Sequence, residues 1–282
     1  MRSDTMKIQQ IISFPFSVFL LTACAGVQPM NASLFTKEAS TPPSEEIEVA
    51  AAADLQFAFT EIAALFEQDT SYQVKLIFGS TGQLVQQIEN GAPYDLIASA
   101  NIAYIDRLVE QNLVLTDSVA LYAQGRIVLA VNRESGISAT TLDDLRSEEI
   151  RHIAIANPDH APYGLAAKQA LQTSGVWEDV QQKIVYGENV RQALQYIQSG
   201  DAETGIIALS VADVPEITWT LLDGSLHEPL NQALAVIRSS PHPELAAQFA
   251  TYINGEKGRP IMRRYGFILP GEAPLSTSPT TP

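Results

Sequence analysis

The sequence predicts an α/β fold built as two α/β lobes joined by two crossing strands, with a ligand cleft between them. Three observations predict it. Short β-rich runs alternate with helical apolar patterns throughout residues 47–269; the alternation restarts after a buried apolar run at Arg126–Val131; and a second such run, Gln232–Ile237, precedes two closing helices. With 46% hydrophobic and only 17% charged residues among 282, the chain has apolar material for a core of this size.

Ile47–Ala50 reads as the first strand, and residues 54–68 as a helix with Leu55, Phe59, Ile62 and Phe66 on one face and Asp54 as its N-cap. Val74, Leu76 and Phe78 alternate as a strand; Leu84, Val85 and Ile88 mark a helix stopped near Gly91 and Pro93; Tyr94–Ser99 is a third strand. A helix ending near Asn112 leads to the 126–131 run, taken as the crossing into a second lobe. There His152–Ala156 is a strand, and Pro162–Thr173 a helix with proline in its first turn and Gly175 past its end. Lys183–Tyr186 is a strand, Val190–Gln198 a helix closed by Gly200, and Thr204–Leu209 and Ile217–Leu222 are strands. Gln232–Ile237 is read as the return crossing, followed by helices at 243–253 and 256–265. The expected lobes are therefore 47–125 plus 238–269, and 126–237 with the hinge strands counted in. A single doubly wound domain has much the same periodicity, and no internal repeat separates the two architectures.

The formal net charge is −15, and no Lys/Arg cluster is long enough to track a phosphate backbone, which excludes nucleic acid as a partner. Such acidity repels anions at long range, so an anion site must be built from local donors. The single cysteine, Cys24, excludes an intramolecular disulfide and a multi-cysteine metal site. It closes a targeting signal over residues 1–23: a weakly basic start at Arg2 and Lys7, then an apolar run, Ile11–Ala23, too short to span a bilayer. Leu21-Thr22-Ala23-Cys24 resembles a bacterial lipobox, which implies a lipid anchor on Cys24 at the outer face of a membrane. An ordinary signal peptide cut at a small-residue site is the alternative. Residues 24–46 read as a flexible tether, and 270–282, rich in Pro, Ser and Thr, as a disordered tail.

Three strand-to-helix junctions have compositions suited to an anion. At Phe78-Gly79-Ser80-Thr81-Gly82, glycines permit close backbone approach, two hydroxyls are present, and a helix start supplies free N–H groups. Ala161-Pro162-Tyr163-Gly164 and Tyr186-Gly187-Glu188-Asn189-Val190 repeat the geometry, with Asn189 a good N-cap. Each alone also reads as ordinary helix capping. No lysine follows Gly82, so the first is not a nucleotide-binding loop. His152, His160, His227 and His242 lack metal-ligand spacing, and there is no Gly-x-Ser-x-Gly elbow, catalytic cysteine or zinc signature, so no enzyme is expected.

Taken in order, these segments resemble the molybdate-binding family of periplasmic substrate-binding proteins. The resemblance rests on Val49-Ala50-Ala51-Ala52-Ala53-Asp54-Leu55, on GSTGQLVQQIENGAPYDLIASA from Gly79, on NPDHAPYGLAAKQAL from Asn157, on the Glu-Asn-Val-Arg segment at Glu188, and on Arg264-Tyr265-Gly266-Phe267. It implies a two-lobed, type II periplasmic-binding-protein-like fold, closing on one molybdate or tungstate ion and delivering it to an ABC importer permease and its ATPase. It further implies a monomer on the extracytoplasmic side of a bacterial membrane, with no cofactor. A carrier of sulfate or another oxyanion, and a lipid-anchored oxyanion sensor, are the alternatives. Residue by residue, Thr81 falls at a hydroxyl-and-amide ligand position, and Tyr163 and Val190 at backbone-donor positions. Asp54 stands where many members have a serine; the expectation is that it caps its own helix and offers only its backbone N–H to the ion. Ala208 replaces a tyrosine found in some members, and the Tyr163 hydroxyl is the candidate to compensate.

Overall fold

The computed structural model describes residues 45–272; the expected signal segment, Cys24, nearly all of the tether and most of the tail lie outside them. Two five-stranded sheets form two α/β lobes. In the first, β1 (Glu46–Ala52) leads through a 3-10 turn (Ala53–Leu55) to α1 (Gln56–Thr70), β2 (Gln73–Gly79), α2 (Thr81–Glu89), β3 (Leu96–Ser99), α3 (Ile102–Glu110) and β4 (Ala120–Gly125). The second holds β5 (Ile127–Asn132), β6 (Ile153–Ala156), α4 (Pro162–Thr173), α5 (Trp177–Val180), β7 (Ile184–Gly187), α6 (Val190–Ser199), β8 (Thr204–Ala208) and β9 (Ile217–Leu221). The chain then returns to the first sheet with β10 (Leu230–Val236) and packs α7 (Pro243–Ile253) and α8 (Gly258–Arg264).

The strand orders are β2-β1-β3-β10-β4 and β7-β6-β8-β5-β9. Three strands in each sheet run parallel, β2-β1-β3 and β7-β6-β8, and the two remaining strands join antiparallel. Parallel strands buried on both faces read as continuous apolar runs, which is why Ile153–Ala156 and Leu96–Ser99 are wholly buried. In the first lobe the core centres on Phe59, Phe66 and Phe249, whose rings meet edge-on with centroids 5.1 and 6.3 Å apart.

The passages between lobes differ from the sequence expectation. The run 126–131 is not itself a crossing strand: β5 is a full member of the second sheet, paired with β8 and β9. Likewise β10 lies between β3 and β4 in the first sheet. The crossings are instead the short connections at Arg126 and at residues 222–229, because a buried strand must pair on both edges to satisfy its backbone. Strand β4 went unread; only its Tyr122, Ala123 and Gly125 are buried, so its apolar signal is weak. Asp54 does not cap α1: Leu55 holds the N-cap position without a side-chain hydrogen bond, and Asp54 sits inside the 3-10 turn.

Candidate functional site

The carboxyl ends of β1, β2 and β3 in one lobe and of β6 and β7 in the other lead into the turns that flank a cavity at the lobe junction. It is lined by Asp54, Ser80, Thr81, Tyr163, Asn189 and Val190 among others, and its volume is about 10 Å³. That is near the lower limit for one water molecule, so the lobes as they stand leave space for a small, compact ligand. All four residues singled out as ligand-binding candidates, Asp54, Thr81, Tyr163 and Val190, line it.

Its chemistry follows from how the helices start. The first-turn amides of a helix have no intrahelical acceptor. Helices α2, α4 and α6 begin at Thr81, Pro162 and Val190, all on the cavity wall. Proline has no N–H, so Tyr163 carries the first donor of α4. The Asn189 side chain accepts from the amides of Arg191 and Gln192 at 3.0 and 3.1 Å, which fixes the start of α6 and leaves Val190 over. Among the described residues, no acceptor pairs with the N–H of Thr81, Tyr163 or Val190. The Thr81 hydroxyl accepts from the Ala100 amide at 3.0 Å, so its own proton remains to be donated. Three positive helix ends and a hydroxyl thus face a space with no Lys, Arg or His in its lining.

Asp54 behaves differently. Its carboxyl is buried, and Oδ2 accepts from Gln232 Nε2 at 2.8 Å. The same Nε2 reaches the Tyr163 hydroxyl at 3.0 Å. Among the described residues, Asp54 Oδ1 and Gln232 Oε1 have no hydrogen-bond partner. Burial pushes the Asp54 carboxyl up from 3.8 to about 6, against smaller lowering by hydrogen bonds from Gln232 and Tyr163. Burial, and then the Asp54 charge, push the Tyr163 phenol well up. The Tyr163 hydroxyl accepts from Gln232, so its own proton is left for Asp54 or for an occupant of the cavity.

Sequence reasoning missed Gln232, although a glutamine amid Leu230–Val236 was a visible signal. The register shifts between Gln232 and Ala233, an irregularity of the kind that re-aims a side chain. It also missed the contacts by which the lobes touch. The Gly82 amide donates to the His160 carbonyl at 2.9 Å, Ser80 Oγ lies 2.7 Å from His160 Nδ1, and Gln83 donates to Glu188 at 2.6 Å. Arg191 donates to Gln56 at 2.9 Å and lies 4.6 Å from the Phe57 ring centroid.

Two α/β lobes closed over an ion-sized cavity walled by helix N-termini define a class, the solute-binding proteins that capture small molecules outside the cytoplasm. The family described as bacterial extracellular solute-binding protein matches residues 47–268, and the chain belongs to it. The chain is 33% identical over 233 residues to the molybdate-binding protein of Azotobacter vinelandii, covering 79% of this chain and 90% of that one. It is 28% identical over 257 residues to a putative ABC transporter substrate-binding lipoprotein of Bacillus subtilis (strain 168), covering 89% and 97%. The structure of the Azotobacter vinelandii periplasmic molybdate-binding protein matches with a TM-score of 0.75 at 31% identity, covering 79% and 99%. The resemblance to the molybdate-binding family drawn from the motifs is thus borne out. A sulfate-binding protein from Mycobacterium tuberculosis H37Rv, with a TM-score of 0.67 at 16% identity, shares the fold alone.

Proposed function

We propose that this protein captures molybdate or tungstate outside the cytoplasm and delivers it to the permease and ATPase of an ABC importer, acting as a carrier and not as an enzyme. The observation that carries the reading is the convergence of the unpaired Thr81, Tyr163 and Val190 amides and the Thr81 hydroxyl on one buried, ion-sized cavity. A tetrahedral dianion presents acceptors in all directions and needs donors without competing acceptors. Helix-end amides meet that need without a cationic side chain, which resolves how a chain of net charge −15 holds an anion. The names of the relatives support molybdate as the ligand.

The domain reading is adjusted to the sheet order: residues 47–125 plus 230–269 form one lobe, since β10 belongs to the first sheet, and 127–221 the other, with hinges at Arg126 and 222–229. The lobes open and close by rotation about Arg126 and residues 222–229. Cys24 carries a lipid anchor and residues 24–46 tether the body to the membrane, a reading supported by the lipoprotein name of the Bacillus subtilis relative.

Isothermal titration of the chain from residue 25 onward against molybdate, tungstate, sulfate and phosphate tests the proposal. One-to-one binding of the first two, with sulfate and phosphate at least a hundredfold weaker, is the expected result. Thr81→Val, which removes the hydroxyl donor, is expected to weaken molybdate binding about ten- to a hundredfold. Absence of binding to all four ions, or a preference for sulfate, rejects molybdate as the ligand.

A further inference from the structure

Ser80 occupies the N-cap of α2, where a serine ordinarily accepts from the amide of the second or third helical residue. Here it makes no capping bond. The amide it could have capped, that of Gly82, donates instead to the backbone carbonyl of His160 in the other lobe, at 2.9 Å. The Ser80 hydroxyl is 2.7 Å from Nδ1 of the same histidine. One residue of the second lobe thus takes over both ends of the cap, freeing Ser80 from its own helix. Ser80 is only 3% exposed and lines the cavity.

A hydroxyl has one proton, so its bond to the ring decides what it shows the cavity. If Nδ1 is bare, Ser80 donates to the ring and turns only lone pairs toward an occupant. If Nδ1 carries the proton, Ser80 accepts, and its own proton is available to an anion. The other ring nitrogen lies 3.9 Å from Glu188 Oε2, and Glu188 is held by Gln83 Nε2 at 2.6 Å. Gln83 belongs to the first lobe and Glu188 to the second, so a carboxylate held across the cleft stands near that nitrogen, beyond hydrogen-bond reach. Only the Nδ1–H arrangement is compatible with an anion against Ser80.

We infer that His160 is a positioning residue: through Nδ1–H it turns the Ser80 hydroxyl into a donor to the bound oxyanion, and it can do so only when the lobes are closed. The inference rests on the oxyanion reading above. It makes ligand recognition in the first lobe depend on a side chain of the second, so an open protein lacks one of its donors until closure supplies it.

A double-mutant cycle on the chain from residue 25 onward, read by titration with molybdate at about pH 8, tests it. His160→Phe and Ser80→Ala are each expected to weaken binding on the order of tenfold, and the double variant no more than Ser80→Ala alone. His160→Asn, whose amide nitrogen can stand in for Nδ1–H, is expected to recover most of the loss. In protein labelled with 15N-histidine, the His160 ring is expected to show Nδ1 protonated when molybdate is bound. An undiminished His160→Phe penalty in the Ser80→Ala background, or a bound-state ring with Nδ1 bare, overturns the assignment while leaving the oxyanion reading intact. Wild-type protein that binds none of the four ions overturns both.

Discussion

Two regions of the lobe junction, both touching Asp54 and Tyr163, have opposite polarity. Toward the cavity, the unpaired groups are donors: the amides of Thr81, Tyr163 and Val190 and the Thr81 hydroxyl. Around Gln232, the unpaired groups are acceptors: Asp54 Oδ1 and Gln232 Oε1. The donors left over on the first side suit an anion and the acceptors left over on the second repel one, with Asp54 bordering both. The difference teaches that the ion's place is set as much by a region it must avoid as by the donors that hold it. Both regions exist in this form only when the lobes meet, since Tyr163 comes from one lobe and Gln232 and Thr81 from the other.

The largest disruption of that arrangement is expected from Gly82→Ala. A Cβ on Gly82 would lie 2.8 Å from the His160 carbonyl oxygen, 2.9 Å from its Cβ and 3.0 Å from its Cα. Backbone meeting backbone leaves no flexible side chain to yield, so the variant must stay partly open. Since apparent affinity falls with the population of the binding-competent form, molybdate binding is expected to drop a hundredfold or more. The isolated lobes are untouched, so thermal stability without ligand should change little. Titration and differential scanning calorimetry together check this; wild-type affinity in the variant would show that the Gly82–His160 contact is not needed for capture.

Asp54→Asn addresses the acceptor region and has an expected effect of about 3 kcal/mol on stability, from a carboxyl raised from 3.8 to about 6 by burial. The sign is opposite to that of a paired carboxylate. At pH below 3.8 the group is protonated in both folded and unfolded chains and contributes nothing. As pH rises from there to about 6, the unfolded chain ionises first and the folded state loses stability; above about 6 the whole penalty is present. Urea denaturation across this range is expected to show wild-type stability falling with pH relative to the asparagine variant, whose curve lacks that fall. A bound dianion disfavours ionised Asp54 further, so wild-type affinity should weaken above about pH 6 more than that of the variant. Parallel stability curves for the two proteins would show that Asp54 is not held above its ordinary range.

Much of the donor region was legible in the chain because helix starts announce themselves locally. Gly79-Ser80-Thr81, Pro162-Tyr163 and Asn189-Val190 carry the punctuation of helix N-termini, and the structure brings all three to one cavity. The alternation of strands and helices likewise carried the two-lobed α/β class. The acceptor region was not legible, because it depends on residues far apart in sequence: Gln232 and Asp54 are 178 positions apart, Gln232 and Tyr163 69. Asp54 shows the failure most plainly. An Asp just before an apolar helical run is a good local N-cap, yet Gln232, a fully buried amide needing partners, took the carboxylate instead. Strand membership failed for a related reason: an apolar run does not disclose which sheet it joins, and β10 was read as a crossing when it fills the gap between β3 and β4.

Tyr163→Phe separates the two regions within a single residue and has the smallest expected effect. The Tyr163 amide belongs to the donor side, at the start of α4. Its hydroxyl belongs to the other side, 3.0 Å from Gln232 Nε2, in a space that exists because residue 125 is glycine: a Cβ there would collide with the hydroxyl. Phenylalanine preserves the helix start, the free amide and the ring, and removes only the oxygen. Gln232 keeps its bond to Asp54 at 2.8 Å, so its amide nitrogen is not orphaned. The lost bond contributes to lobe closure on the order of 1 kcal/mol at most, and molybdate affinity is expected to fall by about threefold or less. Titration decides where the hydroxyl acts. A loss well above tenfold would move it to the cavity as a direct donor and dissolve the division between the two regions, whereas a small loss paired with a strong Thr81→Val effect would confine ion recognition to the helix ends and their hydroxyls.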